Sequence, residues 1–372
     1  MPLPFIAVAA GALISTGMGA LGHSAAKDDN NKAKRIIKDA KKKYRETKYN
    51  LDNKKEDVTE SFKEYGKFKL QVTNSVIGEY IKINKKLSSK ANSGLKTKID
   101  HKKYRLSDNE FLSKKNYMKL DQSAVSAKEV IGDGLASVSS GALLSIGAYN
   151  GVGLLATAST GTAISSLSGV AASNATLAWL GGGSLATGGL GIAGGTAMLG
   201  GIALGPAILV SSIFAIKKSS DYLDKAYDYE SEVDMKVATI ESVIGRLEAI
   251  EMRVNESGRV LNKFSEALKK ELIEYNQIVE KQVSFKRGSV LLRIIDKIKS
   301  KLFKDYNSKY AMTEFEKKKI LTVELLVKKV YEVLENPIIN EDGNVSDQIT
   351  KKLGIKEFDN SMKILKNSRV SS

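Results

Sequence analysis

Apolar residues recur every three or four positions along two long stretches of this chain, and along a third stretch charge vanishes altogether. In the first stretch Ile37, Ala40, Tyr44, Thr47, Leu51 and Val58 keep this spacing, and Phe62, Tyr65, Val72, Val76, Tyr80 and Ile83 continue it. A stripe of that period marks one face of a long helix. In the second, Val233, Val237, Ile240, Ile244, Leu247, Val254, Leu261, Phe264 and Leu268 follow the same rule, extended by Tyr275, Ile278 and Phe285. The pattern predicts two long amphipathic helices whose natural partners are each other or a second copy of the chain. Proline supports this: it occurs only at Pro2, Pro4, Pro206 and Pro337, so nothing punctuates the chain from Phe5 to Gly205.

The third stretch runs from Gly134 to Ile216, 83 residues without Asp, Glu, Lys, Arg or His. The first 26 residues also lack Asp, Glu, Lys and Arg. Within the long run, "GGGSLATGGLGIAGGTAMLGGIALGP" (Gly181 to Pro206) has eleven glycines in 26 residues. Each glycine costs about 1 kcal/mol relative to alanine in a helix exposed to water. In hydrocarbon an unpaired backbone group costs several kcal/mol, so lipid enforces helix whatever the propensity. Small residues four or seven apart then let helix backbones approach closely. Gly147 with Gly151, Gly191 with Gly195, and Gly201 with Gly205 have that spacing. Gly181, Gly188 and Gly195 repeat every seven, and Ala7, Gly11, Ser15 and Gly19 form a similar ladder.

A membrane crossing needs about 20 mainly apolar residues. The strongest candidate is Met198 to Ile216, closed by Lys217 and Lys218 and kinked near Pro206; another is Leu135 to Ala158. Basic flanks begin at Lys27 and Lys217, which predicts an even number of crossings with both helical arms on the cytoplasmic side. The alternative is a glycine-rich helix pair buried in the core of a soluble protein.

These features divide the chain into an apolar N-terminal helix (1–26), a first helical arm (27–88) and a basic, exposed linker (89–122). A hydrophobic block (123–218), a second arm (219–287) and a basic C-terminal helical region (288–372) follow. In that last region "SVLLRIIDKIKSKLF" puts Leu291, Ile295, Ile298 and Leu302 on one face, interleaved with Arg293, Lys297, Lys299 and Lys301. Such a helix either lies on an anionic membrane or docks on a neighbour. The N-terminal segment reads as a retained anchor or a third hydrophobic helix, because no basic residue precedes its apolar run as in a signal peptide. A secreted soluble form is the alternative to a membrane-associated one.

Charge and chemistry narrow the function classes. The formal charge of +16, from 58 Lys and Arg against 42 Asp and Glu, points to an anionic partner, nucleic acid or an anionic membrane face, or else to a lysine-rich background on solvated helices. No nucleic-acid-binding motif accompanies it, so an anionic lipid bilayer is the expected partner and nucleic acid a minor one. Zero cysteines exclude disulfides and thiolate chemistry. "GLGIAG" at Gly189 to Gly194 matches a dinucleotide fingerprint, but no acidic residue follows about twenty positions on. His23 and His101 are the only histidines and cannot form a multi-histidine metal site. No catalytic, cofactor or metal site is expected, and no small-molecule substrate.

A charge-free hairpin between long amphipathic helices resembles the α-helical pore-forming toxins of bacteria, the cytolysin A and haemolysin BL group. That likeness implies an apolar segment sheltered on a helical bundle, then inserted and assembled into oligomers. "MPLPFIAVAAG", "GGGSLATGGLGIAGG" and "LENPIINEDGNVSD" are together similar to uncharacterised bacterial proteins with a glycine-rich segment, which implies an architecture without an activity. The expectation is an all-α, non-enzymatic, membrane-associated protein whose glycine block inserts into a bilayer and self-associates, permeabilising it or serving as a scaffold. The alternative is a soluble coiled-coil adaptor that buries the block internally.

Overall fold

The computed structural model describes residues 22–86, 99–104, 106, 111–132, 138, 143, 146, 147, 219–287, 294, 298, 299, 312–338 and 355–367. Every regular element among them is helical, and the fold class is all-α. The elements are α1 (Gly22–Val72), a π turn (Thr73–Ile77), α2 (Gly78–Lys85), a 3-10 turn (His101–Tyr104), α3 (Lys114–Ile131), α4 (Ser219–Arg287), α5 (Glu314–Glu335) and α6 (Ile355–Asn367).

The chain divides into two compact units, Met1–Leu51 with Ile202–Ser242, and Asp52–Gly201 with Val243–Ser372. In the first, α1 buries Ala33, Ile37, Ala40, Tyr44 and Leu51, and α4 buries Tyr222, Ala226, Tyr229, Val233, Val237 and Ile240. The Lys32 ammonium lies 5.5 Å from the Tyr227 ring centre, and Lys43 pairs with Asp234 at 2.8 Å. Contact partners rise together in number, so the two helices run parallel here.

The second unit has the same parallel order. Lys54 meets Glu251 at 3.0 Å, the Tyr275 hydroxyl donates to Asn84 Oδ1 at 2.9 Å, and Lys86 meets Glu280 at 2.6 Å. The first arm therefore packs on the second within one chain, along the faces their periodicity predicts. All twelve residues of the first stripe are buried. Of the second stripe Ile244 is half-buried, and the Phe285 side chain lies outside the described residues.

Between α1 and α2 the chain widens into a π turn where weak helix formers cluster in "VTNSVIG". Thr73 Oγ1 donates to the Lys69 carbonyl at 2.8 Å and Ser75 Oγ to the Gln71 carbonyl at 2.6 Å. Such back-bonding competes with the ladder and bends helices. Val72 and Val76, on either side of the turn's start, are both buried.

The linker expected to be exposed over residues 89–122 departs from that reading where it is described. Ile99, Tyr104, Leu106, Phe111 and Leu112 are buried, and α3 starts inside it. Their irregular spacing carries no helical period, so the Lys-, Ser- and Asn-rich composition masks the anchors. Ser113 caps α3 by accepting from the Asn116 amide at 3.2 Å. The helix then crosses the expected block boundary at residue 123 and buries Tyr117, Leu120, Ala124 and Ala127. Helix α5 opens on a capping box, Thr313 with Glu316. It is buried on nearly all sides through Ile320, Leu321, Val323, Leu325, Leu326, Val327, Val330, Val333 and Leu334, which marks a central helix. Phe358 of α6 packs edge-on against Phe264 of α4, centroids 5.0 Å apart.

Candidate docking site for the charge-free segment

The leading end of the charge-free run is described at Val138, Leu143, Ile146 and Gly147, and it packs on α1 and α3. Leu70, Ala127 and Ile146 form a dry cluster against which Val130, Ile131, Val138 and Leu143 pack. Beside it two glycines meet. A Cβ on Gly66 would overlap the Leu143 carbonyl oxygen and lie 3.0 Å from the Gly147 nitrogen. A Cβ on Gly147 would overlap the Phe62 carbonyl oxygen and lie 3.3 Å from the Gly66 nitrogen. The obstructing atoms are backbone, which cannot swing aside as a side chain can. Two helix backbones thus touch where only hydrogen fits, the close approach that small residues allow.

One turn beyond Gly66, the Lys69 side chain is 1 % exposed. Its ammonium lies 4.8 Å from the Tyr65 ring centre. Burial pushes the Lys69 ammonium down to about 7, and the Glu335 carboxylate of α5 pulls the other way. Tyr331, hydrogen-bonded to Glu335, is pushed up to about 12, chiefly by its own burial. The buried lysine therefore sits between the segment's docking turn and the central helix.

A second polar cluster holds α2, α3, α4 and α5 together. The Tyr80 hydroxyl donates to Glu324 Oε1 at 2.9 Å, and Asn84 Nδ2 donates to the Tyr80 carbonyl at 3.1 Å. The Tyr80 ring stacks on Tyr275 and meets Tyr117 edge-on, with centroids 6.1 and 6.2 Å apart. Glu324 is only 3 % exposed. Burial first, and the nearby carboxylate second, raise the Tyr80 hydroxyl well above its ordinary range. Closer to the surface, the Tyr104 hydroxyl donates to Glu314, clamping the 3-10 turn to the start of α5.

Of the packing residues expected from sequence, Gly147 is the one the described residues include, and it sits in the glycine crossing. Gly11, Gly19, Gly151, Gly181, Gly188, Gly191, Gly195, Gly201, Gly205, Pro206, Lys217, Lys218, Arg293 and Lys297 lie outside the described residues. The partner of Gly147 is Gly66, an isolated glycine in a charged helix rather than another member of the glycine block. Sequence reasoning missed it; a glycine inside a stripe otherwise set by Phe62 and Tyr65 is the signal that could have found it. Lys69 carried a comparable signal, a lysine one turn from Tyr65 and on the same face.

Among the described residues no helix is long and apolar enough to cross a membrane. No group of His, Cys, Asp and Glu there is arranged to hold a metal ion. What the fold and site define is an all-helical bundle with a glycine-lined seat for the start of an uncharged segment. No known protein family, curated protein or solved structure matches the chain.

Proposed function

We propose that this protein is a non-enzymatic helical carrier of a membrane-active segment. The bundle seats the leading end of the glycine-rich run, and the run enters an anionic bilayer and self-associates there. Permeabilisation is one consequence of that association and membrane scaffolding the other. The observation that carries the reading is the 83-residue run without a charged residue. Its first described turn is held on the bundle through backbone contact at Gly66 and Gly147. A bilayer accepts a charge-free run of that size.

The second reading, an adaptor that keeps the run internal, draws on the same contact. Membrane fractionation separates the two. The intact chain should resist carbonate extraction, and a version lacking residues 134 to 216 should be released. Equal release of both removes the membrane reading.

A further inference from the structure

Helix α3 leads directly into the charge-free run, and its outer face has a chemistry of its own. Lys114, Met118, Val125 and Lys128 lie along one exposed strip, with Met118 49 % and Val125 48 % exposed. Beside Val125 and Lys128 a groove of about 520 Å³ opens between α2 and α3, and Lys82 and Lys85 reach it from the other wall. Its floor is Gly78, where an added Cβ would find only the Thr73 carbonyl oxygen, 3.7 Å away. The acidic groups nearby are already engaged: Lys85 pairs with Asp121 at 2.7 Å and Lys82 with Glu79 at 3.2 Å. Glu129 is the remaining acid on the outer face, against four lysines of α3, at positions 114, 115, 119 and 128.

We infer that this face is a docking surface for the anionic headgroups of a membrane, and that it lays α3 along the bilayer before the segment inserts. The inference deepens the membrane reading proposed above and rests on it for the identity of the partner. The argument is charge complementarity combined with continuity of the chain. Basic groups flank two exposed apolar side chains, the composition that lies at a lipid interface. Helix α3 ends at Ile131, three residues before the uncharged run starts at Gly134. A helix held flat by headgroups at this face delivers the start of that run to the interface. The groove adds depth beside Lys128, and Lys82 and Lys85, which pair with Glu79 and Asp121 in its lining, can turn from those carboxylates to a phosphate-bearing headgroup.

The test uses the full chain and sedimentation with phosphatidylcholine vesicles, with and without roughly one-third phosphatidylserine. The parent should bind the anionic vesicles, and binding should fall in high salt because the contact is screened. Lys82→Gln, Lys85→Gln and Lys128→Gln combined should weaken binding by up to about a hundredfold, since each basic group near an anionic leaflet contributes about fivefold. Val125→Asp, an exposed position whose replacement leaves the core untouched, should weaken it too. The control combination Lys34→Gln, Lys38→Gln and Lys42→Gln removes the same charge from α1 and should retain binding.

Equal loss in both triple variants overturns the surface and leaves only general charge. A duplex DNA that competes through the same three lysines overturns the lipid assignment. Carbonate extraction of the same pellets reads the other claim. Lysine-dependent, salt-sensitive binding without carbonate resistance keeps this surface and removes the insertion reading. Carbonate-resistant parent protein that ignores both the lysine and the Val125 changes keeps insertion and removes this surface.

Discussion

Among the described residues the two units solve the same packing problem with different numbers of helices, and their polar residues record the difference. In the first, α1 and α4 meet along one stripe, and their cross-helix ion pair, Lys43 with Asp234, stays at the exposed rim. In the second, the same two helices are joined by α3, α5 and α6, and polar and charged groups end up inside: Lys69, Asn84 and Glu324 are all nearly inaccessible. A two-helix seam lets long side chains reach water, whereas added helices close that route. Each buried polar group must then find a partner or shift its charge. The second unit therefore depends on a few specific polar contacts, and the first on its stripe.

The sharpest way to break that contrast is at Glu324. Replacing it with alanine leaves the Tyr80 hydroxyl without its acceptor and opens a cavity, which should cost about 3–5 kcal/mol. Glu324→Gln keeps an acceptor and should cost about 1 kcal/mol. Urea unfolding of the two variants checks this, and equal costs would mean the hydrogen bond contributes nothing.

Next in size is Gly66→Ala. The added methyl meets the backbone of Leu143 and Gly147, and overpacking of this kind costs about 1–3 kcal/mol. Because the obstructing chain belongs to the uncharged run, the relief is to push that run off its seat. Thermal stability should fall while vesicle leakage rises. A drop in both would mean the glycine contact serves the inserted state instead.

Lys69 sharpens the comparison through pH. Its ammonium titrates at about 7 in the folded protein against 10.5 for an ordinary lysine. Between those values the unfolded chain binds more protons, so folding stability should rise with pH across that window and be flat below about 7. Lys69→Met removes the titrating group and should flatten this part of the profile. An unchanged slope in the methionine variant would place the pH dependence elsewhere. At the small end, Asp234→Asn in the exposed pair of the first unit should leave the melting temperature unchanged.

How much of this was legible in the sequence follows from how many helices touch each residue. The stripes from Ile37 to Ile83 and from Val233 to Ile278 declared themselves, because a helix pair reads one face with one period. Helix α5 did not, since a helix buried all round loses its polar face, although "ILTVELLVKKVYEVLE" behind the Thr313 and Glu316 cap carried a usable signal. The buried anchors Ile99, Tyr104, Leu106 and Phe111 were hidden by their basic surroundings and by the lack of any period. Gly147 was marked by its spacing to Gly151, but the partner described for it is Gly66, a tertiary contact that spacing cannot encode. Glu324 and Lys69 are charged residues in apolar company, and only the packing shows which neighbours surround them.

The central claim is that the bundle stores the uncharged run and that release permits membrane entry. The chain has no cysteine, so Leu70→Cys with Ile146→Cys introduces a single lock inside the docking cluster. Oxidised, this variant should remain extractable from anionic vesicles and cause no leakage. Reduced, it should insert and leak as the parent does. Insertion at the same rate in both redox states, with the disulfide confirmed by mass spectrometry, would contradict the account.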